Sequence, residues 1–241
     1  GTATVDAGTG TFQITSRTGA DVIEYADAND ASVTEDLFID ADALTSVTAA
    51  TMVIGDAAHT GLVHVGNGGN ATTGRADTEI RNNANIRVHT GFDASGVNGN
   101  LTLDANGNTI QLGTLAGASV TLGGGTFSAT DAVDIDNNSS IDATGDIIFS
   151  STVDGGNNLG LDAGGSADIV FGADVGTTTR LSTLTITNAR HVGGNNADAP
   201  TADAVITAAE IVQSAGSGTS RFGALDTNTA AGIDLDGNNI T

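Results

Sequence analysis

The residues of this chain with the clearest potential for chemistry are acidic and amide side chains at the ends of short apolar runs. Three clusters supply them: Asp104 and Asn106 (LDANGN), Asp134 and Asp136 (VDIDNN), and Asp234 and Asp236 (IDLDGNN). Ca²⁺ takes about six to eight oxygen ligands, and each cluster offers a few. None of the clusters completes an EF-hand loop with its bidentate Glu. Two interpretations stay open: these six residues are candidate calcium ligands, or they close turns.

Catalytic chemistry is less well supported by the residue types. Glycoside hydrolysis needs two carboxylates at a set separation, and a chain with 25 Asp will present such pairs by chance. The chain has no Lys to serve as a lyase base and no Trp to form a saccharide platform. We therefore expect no enzymatic activity, and a β-helical polysaccharide-degrading enzyme is the weakest alternative.

The histidines offer a second possible metal chemistry. His59 and His64 flank a turn (HTGLVH), with His89 and His191 further along the chain. A zinc site would need a third ligand at usable spacing, which the sequence does not supply. We expect His59 and His64 to be surface residues of a strand ladder.

Charge and composition exclude several classes of protein. Twenty-nine acidic residues face seven basic ones, all Arg, for a formal net charge of −22. Nucleic-acid binding needs a basic face, so we expect no nucleic-acid partner. No apolar run is long enough for a membrane-spanning helix, so we expect no membrane insertion. The absence of Cys excludes disulfides and thiolate metal sites.

The elements that position these residues are predicted to be short strands joined by many turns. Asp and Gly are abundant, whereas Glu, Lys and Pro are scarce or absent, and this composition is typical of turns. Two copies of a strand, 145–149 and 167–171, repeat at an offset of 22 residues. The spacing predicts a β-solenoid with rungs of about 20 residues, on the order of 12 rungs and a rod of roughly 55–60 Å. Residues 204–213 and 40–50 have some helical character, and we predict strands for both.

The chain is predicted to form a single β-solenoid segment over residues 1–241. It begins with Gly1, and its last residues, GIDLDGNNIT, stop inside a strand-like pattern. We therefore expect a fragment of a longer polypeptide.

Three stretches resemble a known family of repeats. Residues 144–189 (beginning TGDIIFSSTVDGG), 206–241 and 99–122 are similar to repeats of large secreted bacterial proteins of the filamentous-haemagglutinin and β-helical adhesin type. The first 98 residues match these repeats only in their general composition of short apolar runs and turn residues. The resemblance implies an all-β, right-handed parallel β-helix in a secreted or surface-exposed fibre.

These observations together predict a structural protein at the bacterial cell surface. We expect a non-catalytic building block of an extracellular filament, sheath or surface layer, self-associating through solenoid packing. The alternative is an adhesin stalk or passenger that binds glycans or host surfaces. No cofactor is expected to be required, and Ca²⁺ is the ion that would relieve repulsion between copies.

Overall fold

Short parallel strands account for nearly all regular structure in this chain. The computed structural model describes residues 5–29, 34–66, 71–72, 77–96, 99–194 and 204–241. Strands are numbered in chain order, and they lie in three long sheets and one two-stranded pair. The pair joins β1 (Val5–Asp6) to β5 (Val47–Thr48), and a single 3-10 turn, Ala43–Ser46, precedes β5.

The ten-stranded sheet runs the length of the solenoid. In spatial order it contains β2 (Thr11–Ile14), β6 (Thr51–Gly55), β9 (Asp77–Arg81), β12 (Leu101–Asp104), β15 (Phe127–Ala129), β18 (Ile147–Phe149), β21 (Ile169–Phe171), β23 (Val192–Gly193), β25 (Thr219–Ser220) and β28 (Asn239–Ile240).

Two further sheets complete the walls. The seven-stranded sheet contains β4 (Leu37–Asp40), β3 (Ile23–Ala26), β7 (Val63–Val65), β10 (Ile86–Val88), β13 (Thr109–Leu112), β16 (Ala132–Ile135) and β19 (Val153–Asp154). The nine-stranded sheet contains β8 (Ala71–Thr72), β11 (Gly91–Ala94), β14 (Ser119–Leu122), β17 (Ser139–Ala143), β20 (Leu159–Asp162), β22 (Leu181–Asn188), β24 (Val205–Gln213), β26 (Ala224–Asp226) and β27 (Ile233–Leu235).

The chain visits the sheets in turn, so each circuit adds one rung. From β6 onward, paired residues of consecutive rungs lie 19 to 31 positions apart, with about 23 typical. The predicted β-solenoid is therefore confirmed, but the rungs are longer than 20 residues and about seven turns form, not twelve. The expected rod of 55–60 Å was too long, because the ten strands of the longest sheet, spaced about 4.8 Å apart, span about 43 Å. Longer rungs and the irregular N-terminal end both reduce the number of regular turns.

The N-terminal end departs from the regular circuit. Strand β4 follows β3 in the chain but lies on its outer side, away from β7. The detour places Thr11 and Thr51 in register although they are 40 residues apart. The predicted strand over 40–50 is only partly correct, because the 3-10 turn interrupts it. Residues 205–213 form a strand, as predicted.

Inward-facing residues at equivalent positions form apolar rows inside the solenoid. In a parallel sheet, residues in register point to the same side, so each row stacks like on like. Ile86, Ile110 and Val133 form one such row on the seven-stranded sheet and are all at most 2% exposed. Phe149 and Phe171 are in register on the ten-stranded sheet, with parallel rings whose centroids lie 5.7 Å apart.

One core row is interrupted by a polar residue. Thr78 lies in register between Met52 and Leu101 and is 2% exposed. Its Oγ1 is buried without a hydrogen-bond partner. A buried hydroxyl that lacks a partner costs roughly 1–3 kcal/mol in proteins.

We expect Thr78→Val to stabilise the protein by about 1 kcal/mol, because it removes the unsatisfied hydroxyl and keeps the β-branched shape. Urea unfolding gives the free energy of unfolding. Thr102→Val is the matched control, since Thr102 is on the adjacent strand and is partly exposed. An equal gain in both variants would show that β-propensity, and not the buried hydroxyl, explains the effect.

Candidate functional site

The first predicted calcium cluster lies in a corner turn between β12 and β13. Asp104 Oδ1 accepts a hydrogen bond from the backbone N–H of Asn106 at 3.0 Å, and Asn106 Nδ2 donates to Asn83 Oδ1 at 3.0 Å. Both Asp104 and Asn106 therefore make contacts that close or brace this turn. This is the turn-forming interpretation that the sequence left open.

The second cluster lies on the outer face of the seven-stranded sheet. Asp134 is in register with Gln111 on one side and Asp154 on the other. Gln111 Nε2 donates to Asp136 Oδ2 at 3.1 Å. Partial burial raises the pKa of Asp134, and the negative charges of Asp136 and Asp154 raise it further. The structure thus brings three carboxylates into one neighbourhood, where they repel one another.

The third cluster lies on the last rung, apart from the other two. Asp234 is in register with Val212, and the backbone N–H of Asp236 donates to the Gln213 carbonyl at 2.7 Å. Within the described ranges, no group of three or more His, Asp or Glu side chains is arranged to hold a metal ion. Calcium binding by any of the six residues stays a prediction.

A set of polar side chains that the sequence did not single out joins successive rungs. Each member sits at the start of a strand of the ten-stranded sheet or directly before it, and its side chain accepts a hydrogen bond from the backbone N–H of the equivalent residue in the next rung, at 2.8–3.0 Å. We call this set the capping column: Asp77, Asn100, Asp146, Asp168 and His191. The backbone N–H groups at these sheet entries thus have side-chain acceptors. The signal was available in the sequence as a polar residue before each strand, 22 or 23 positions apart in three of the four intervals.

Asp168 is the most buried member of the capping column. Its Oδ1 accepts from the N–H of His191 at 3.0 Å and from Arg190 Nε at 2.9 Å, and its Oδ2 accepts from Arg190 Nη2 at 2.7 Å. The Asp168 side chain is 1% exposed, whereas that of Arg190 is 37% exposed. The guanidinium therefore compensates the charge of a carboxylate that water does not reach.

His59 and His64 are buried, so the prediction that they are surface residues was wrong. His59 is 1% exposed; its Nδ1 lies 2.8 Å from Asn82 Oδ1 and its Nε2 lies 2.7 Å from the Asp21 carbonyl. Asn82 and Asp21 belong to the rungs on either side, so His59 joins three rungs. Sequence alone could not reveal the burial of His59, because the residues that contact it, Asp21 and Asn82, are distant in sequence.

His64 and His89 form a second buried polar pair. His64 Nδ1 and His89 Nε2 are 2.6 Å apart, and the two rings are parallel with centroids 4.9 Å apart. His64 is in register with Glu24 on β3 and with Arg87 on β10. Burial, with the positive charge of Arg87 as a smaller cause, lowers the pKa of His64 to about 4, and the negative charge of Glu35 opposes this shift.

An open polar depression of about 260 Å³ lies on the nine-stranded sheet. Its lining includes hydroxyls of Ser119, Thr121 and Ser140 and the carboxylates of Asp142 and Asp162. At its floor is Gly160, where an added Cβ would meet only ordinary contacts, the nearest at 3.7 Å to Ser140 Cβ. The backbone therefore does not require glycine here, and its absent side chain leaves the space open.

Comparison with known proteins adds no assignment. No protein family, curated protein or solved structure matches the chain. Among the described residues, no helix has the length and apolar character needed to cross a membrane. The class that the fold defines is a parallel β-solenoid, and the polar contacts described above mainly join its rungs.

We expect Asp168→Ala to destabilise the protein by about 2 kcal/mol, because it removes a buried carboxylate that accepts two hydrogen bonds from Arg190 and one from the His191 N–H, while water can still reach part of the guanidinium. Asp146→Ala, which removes one backbone contact, should cost about 1 kcal/mol. Chemical denaturation measures both. The exposed Asp142 serves as the control, and an Asp168→Ala effect no larger than that of Asp142→Ala would contradict the assignment.

The lowered pKa of His64 predicts acid sensitivity. Between about pH 6.5 and 4 the unfolded chain binds a proton at this residue that the folded chain does not, so stability falls as the pH falls through that window. We expect His64→Gln, which stays neutral, to have a flatter dependence, by up to about 1.4 kcal/mol per pH unit. Urea unfolding across this range tests it, and parallel curves for the two proteins would refute it.

Proposed function

We propose that this chain is a structural, non-catalytic segment of an extracellular filament, sheath or surface layer. The observation that carries the proposal is the continuous parallel pairing from β2 to β28 across ten strands. The hydrogen bonds of such a stack run along the solenoid axis, so a pull along the axis is shared among the sheets. Short polar side chains on the outside and aliphatic rows inside suit a hydrated rod.

Self-association is proposed to occur through the ends of the rod. At the C-terminal end, Ile233 is 44% exposed although it is in register with Ile211, which is fully buried. Ile240 is 39% exposed in the same rung region. At the other end, Phe12 and Ile14 of β2 are only partly buried. Unpaired strand edges with apolar residues favour the addition of further strands, from a second copy or from continuing chain.

The net charge limits how copies assemble. Copies that each carry a formal charge of −22 repel one another, and the repulsion weakens with added salt. The seven Arg and divalent cations are the available sources of compensation. We propose that Ca²⁺ acts here as a counterion between copies; the cluster around Asp134 and Asp136 is a candidate place for it.

Location at the bacterial surface is proposed from the resemblance of residues 99–122, 144–189 and 206–241 to filamentous-haemagglutinin and β-helical adhesin repeats. A second candidate function, an adhesin stalk or passenger that binds glycans, is favoured by the polar depression around Gly160. Hydroxyl and carboxylate groups hydrogen-bond readily to sugar hydroxyls. The described residues around the depression include no aromatic side chain, so the structural role remains the better supported one.

We expect the purified chain to form end-to-end filaments with the width of one solenoid as protein concentration and Ca²⁺ rise. Electron microscopy and sedimentation velocity measure this. Ile233→Asp should raise the concentration needed by about tenfold or more, because a charge replaces an apolar contact. Leu115→Asp places the same charge at another exposed apolar residue, in the corner between β13 and β14 away from the ends, and is the control.

Three outcomes would count against parts of the proposal. A chain that stays monomeric at every concentration, with and without Ca²⁺, would refute self-association through the ends. Retention of that monomer on a polysaccharide resin, lost on Gly160→Phe, would favour the adhesin instead. Filaments that persist unchanged in EDTA would refute the role proposed for Ca²⁺ and leave self-association through the ends standing.

A further inference from the structure

The corner turn between β12 and β13 has an unusual backbone. Asn106 has a φ of 47° and is the one non-glycine residue with positive φ in the described part of the chain. Gly107 follows with a φ of 85°, and the N–H of Asn108 donates to the Ala105 carbonyl at 3.0 Å. Asn-Gly is the pair best suited to such a two-residue turn. Both residues are exposed to water.

Asn-Gly is also the dipeptide most open to spontaneous deamidation. The backbone nitrogen of the glycine loses its proton and attacks Cγ of the asparagine side chain. A new N–Cγ bond forms, the Cγ–Nδ2 bond breaks, and ammonia leaves with the proton. Water then opens the cyclic imide to aspartate or isoaspartate, and the latter lengthens the backbone by one carbon. Glycine allows the attack because it has no side chain to hinder it.

In the folded chain, both the nucleophile and the leaving group of this reaction are hydrogen-bonded to neighbouring rungs. The nucleophile, the Gly107 backbone nitrogen, donates its N–H to Asp131 Oδ1 at 2.7 Å. The other oxygen of the same carboxylate, Oδ2, accepts from the Ala105 N–H at 2.7 Å. The leaving group, Asn106 Nδ2, donates to Asn83 Oδ1 at 3.0 Å. Asp131 and Asn83 belong to the rungs on either side of the turn.

These contacts oppose the reaction in two ways. A carboxylate next to the Gly107 N–H disfavours loss of its proton, because the resulting anion would face a negative charge. The two hydrogen bonds that Asp131 accepts also hold the turn in its left-handed form. The Gly107 nitrogen cannot rotate toward Asn106 Cγ without breaking them. We propose that Asn106 is a deamidation site that the folded solenoid keeps unreactive, and that Asp131 is the residue responsible.

This inference is independent of the proposed function, since it concerns one corner turn and its neighbours. It gives Asp131 a role beyond closing a turn. Conversion of Asn106 would add a negative charge to a chain already at −22, and isoaspartate would displace the turn against Asn83 and Asp131. Suppressing deamidation at Asn106 therefore helps to keep the neighbouring rungs in register.

The test follows deamidation of Asn106 by mass spectrometry of its proteolytic peptide during incubation of the folded protein at mildly alkaline pH. We expect Asp131→Ala to raise the rate by about tenfold, the factor that one charge-assisted hydrogen bond corresponds to. Asp131→Asn retains one oxygen and should give an intermediate rate. In urea, wild type and Asp131→Ala should react equally fast, and both faster than the folded wild type.

Asp154→Ala is the matched control. Asp154 also accepts two backbone N–H groups, from Thr178 and Thr179 at 2.8 and 3.0 Å, in a different corner. It should lower stability comparably without changing the rate at Asn106. The pair Asn98-Gly99 in the same digest serves as an internal reference. Equal acceleration by the two variants, or folded wild type reacting as fast as unfolded chain, would overturn the proposal.

Discussion

The parallel pairing of each rung with the next fixes where every side chain of this molecule lies. Paired residues point to the same side. The side chain at each position therefore contacts the side chains at the equivalent position of the rungs above and below, and an apolar residue needs apolar neighbours there. This explains why the interior consists of rows of Ile, Val, Leu and Phe, and why a single Thr78 in such a row is left without a partner. It also means that any slip in register would affect many contacts at once.

Keeping that register requires more than the sheets. Strands of three to five residues offer few backbone hydrogen bonds, so the corners between them must also be joined. The capping column does this on one corner, where a carboxylate, amide or imidazole accepts the N–H of the rung that follows. Asp131, Asp154 and Asp174 serve the same purpose at other corners. Asp suits these positions better than Glu because its short side chain reaches a backbone about 4.8 Å away and loses less rotamer entropy when it is held there.

The strong preference for Asp over Glu therefore has a structural cause that differs from calcium binding. Asp104 and Asn106, read from the sequence as possible ligands, make contacts within or next to a turn. Asp134 and Asp136 do approach a third carboxylate, Asp154, and partial burial, with the charges of Asp136 and Asp154 as smaller causes, raises the pKa of Asp134 there. Part of the charge of −22 therefore follows from how rungs are joined, and this charge then restricts how copies approach one another.

The sequence by itself determined the class of fold. Short apolar runs, turn residues between them, and a 22-residue offset between 145–149 and 167–171 were sufficient, because solenoid structure is local and repeats along the chain. The number of turns was overestimated, since corner lengths vary and β4 adds in parallel to the outer edge of β3 instead of continuing the regular circuit.

What only the tertiary structure decided are the contacts between residues far apart in sequence. The burial of His59 and His64, the ion pair of Asp168 with Arg190, and the contact of Asp131 with Gly107 each join different rungs. So does the close approach at Gly125, where an added Cβ would clash with the Gly99 carbonyl oxygen. These depend on which rung lies above which, and at what register. Variable corner lengths hide that register until the chain is folded.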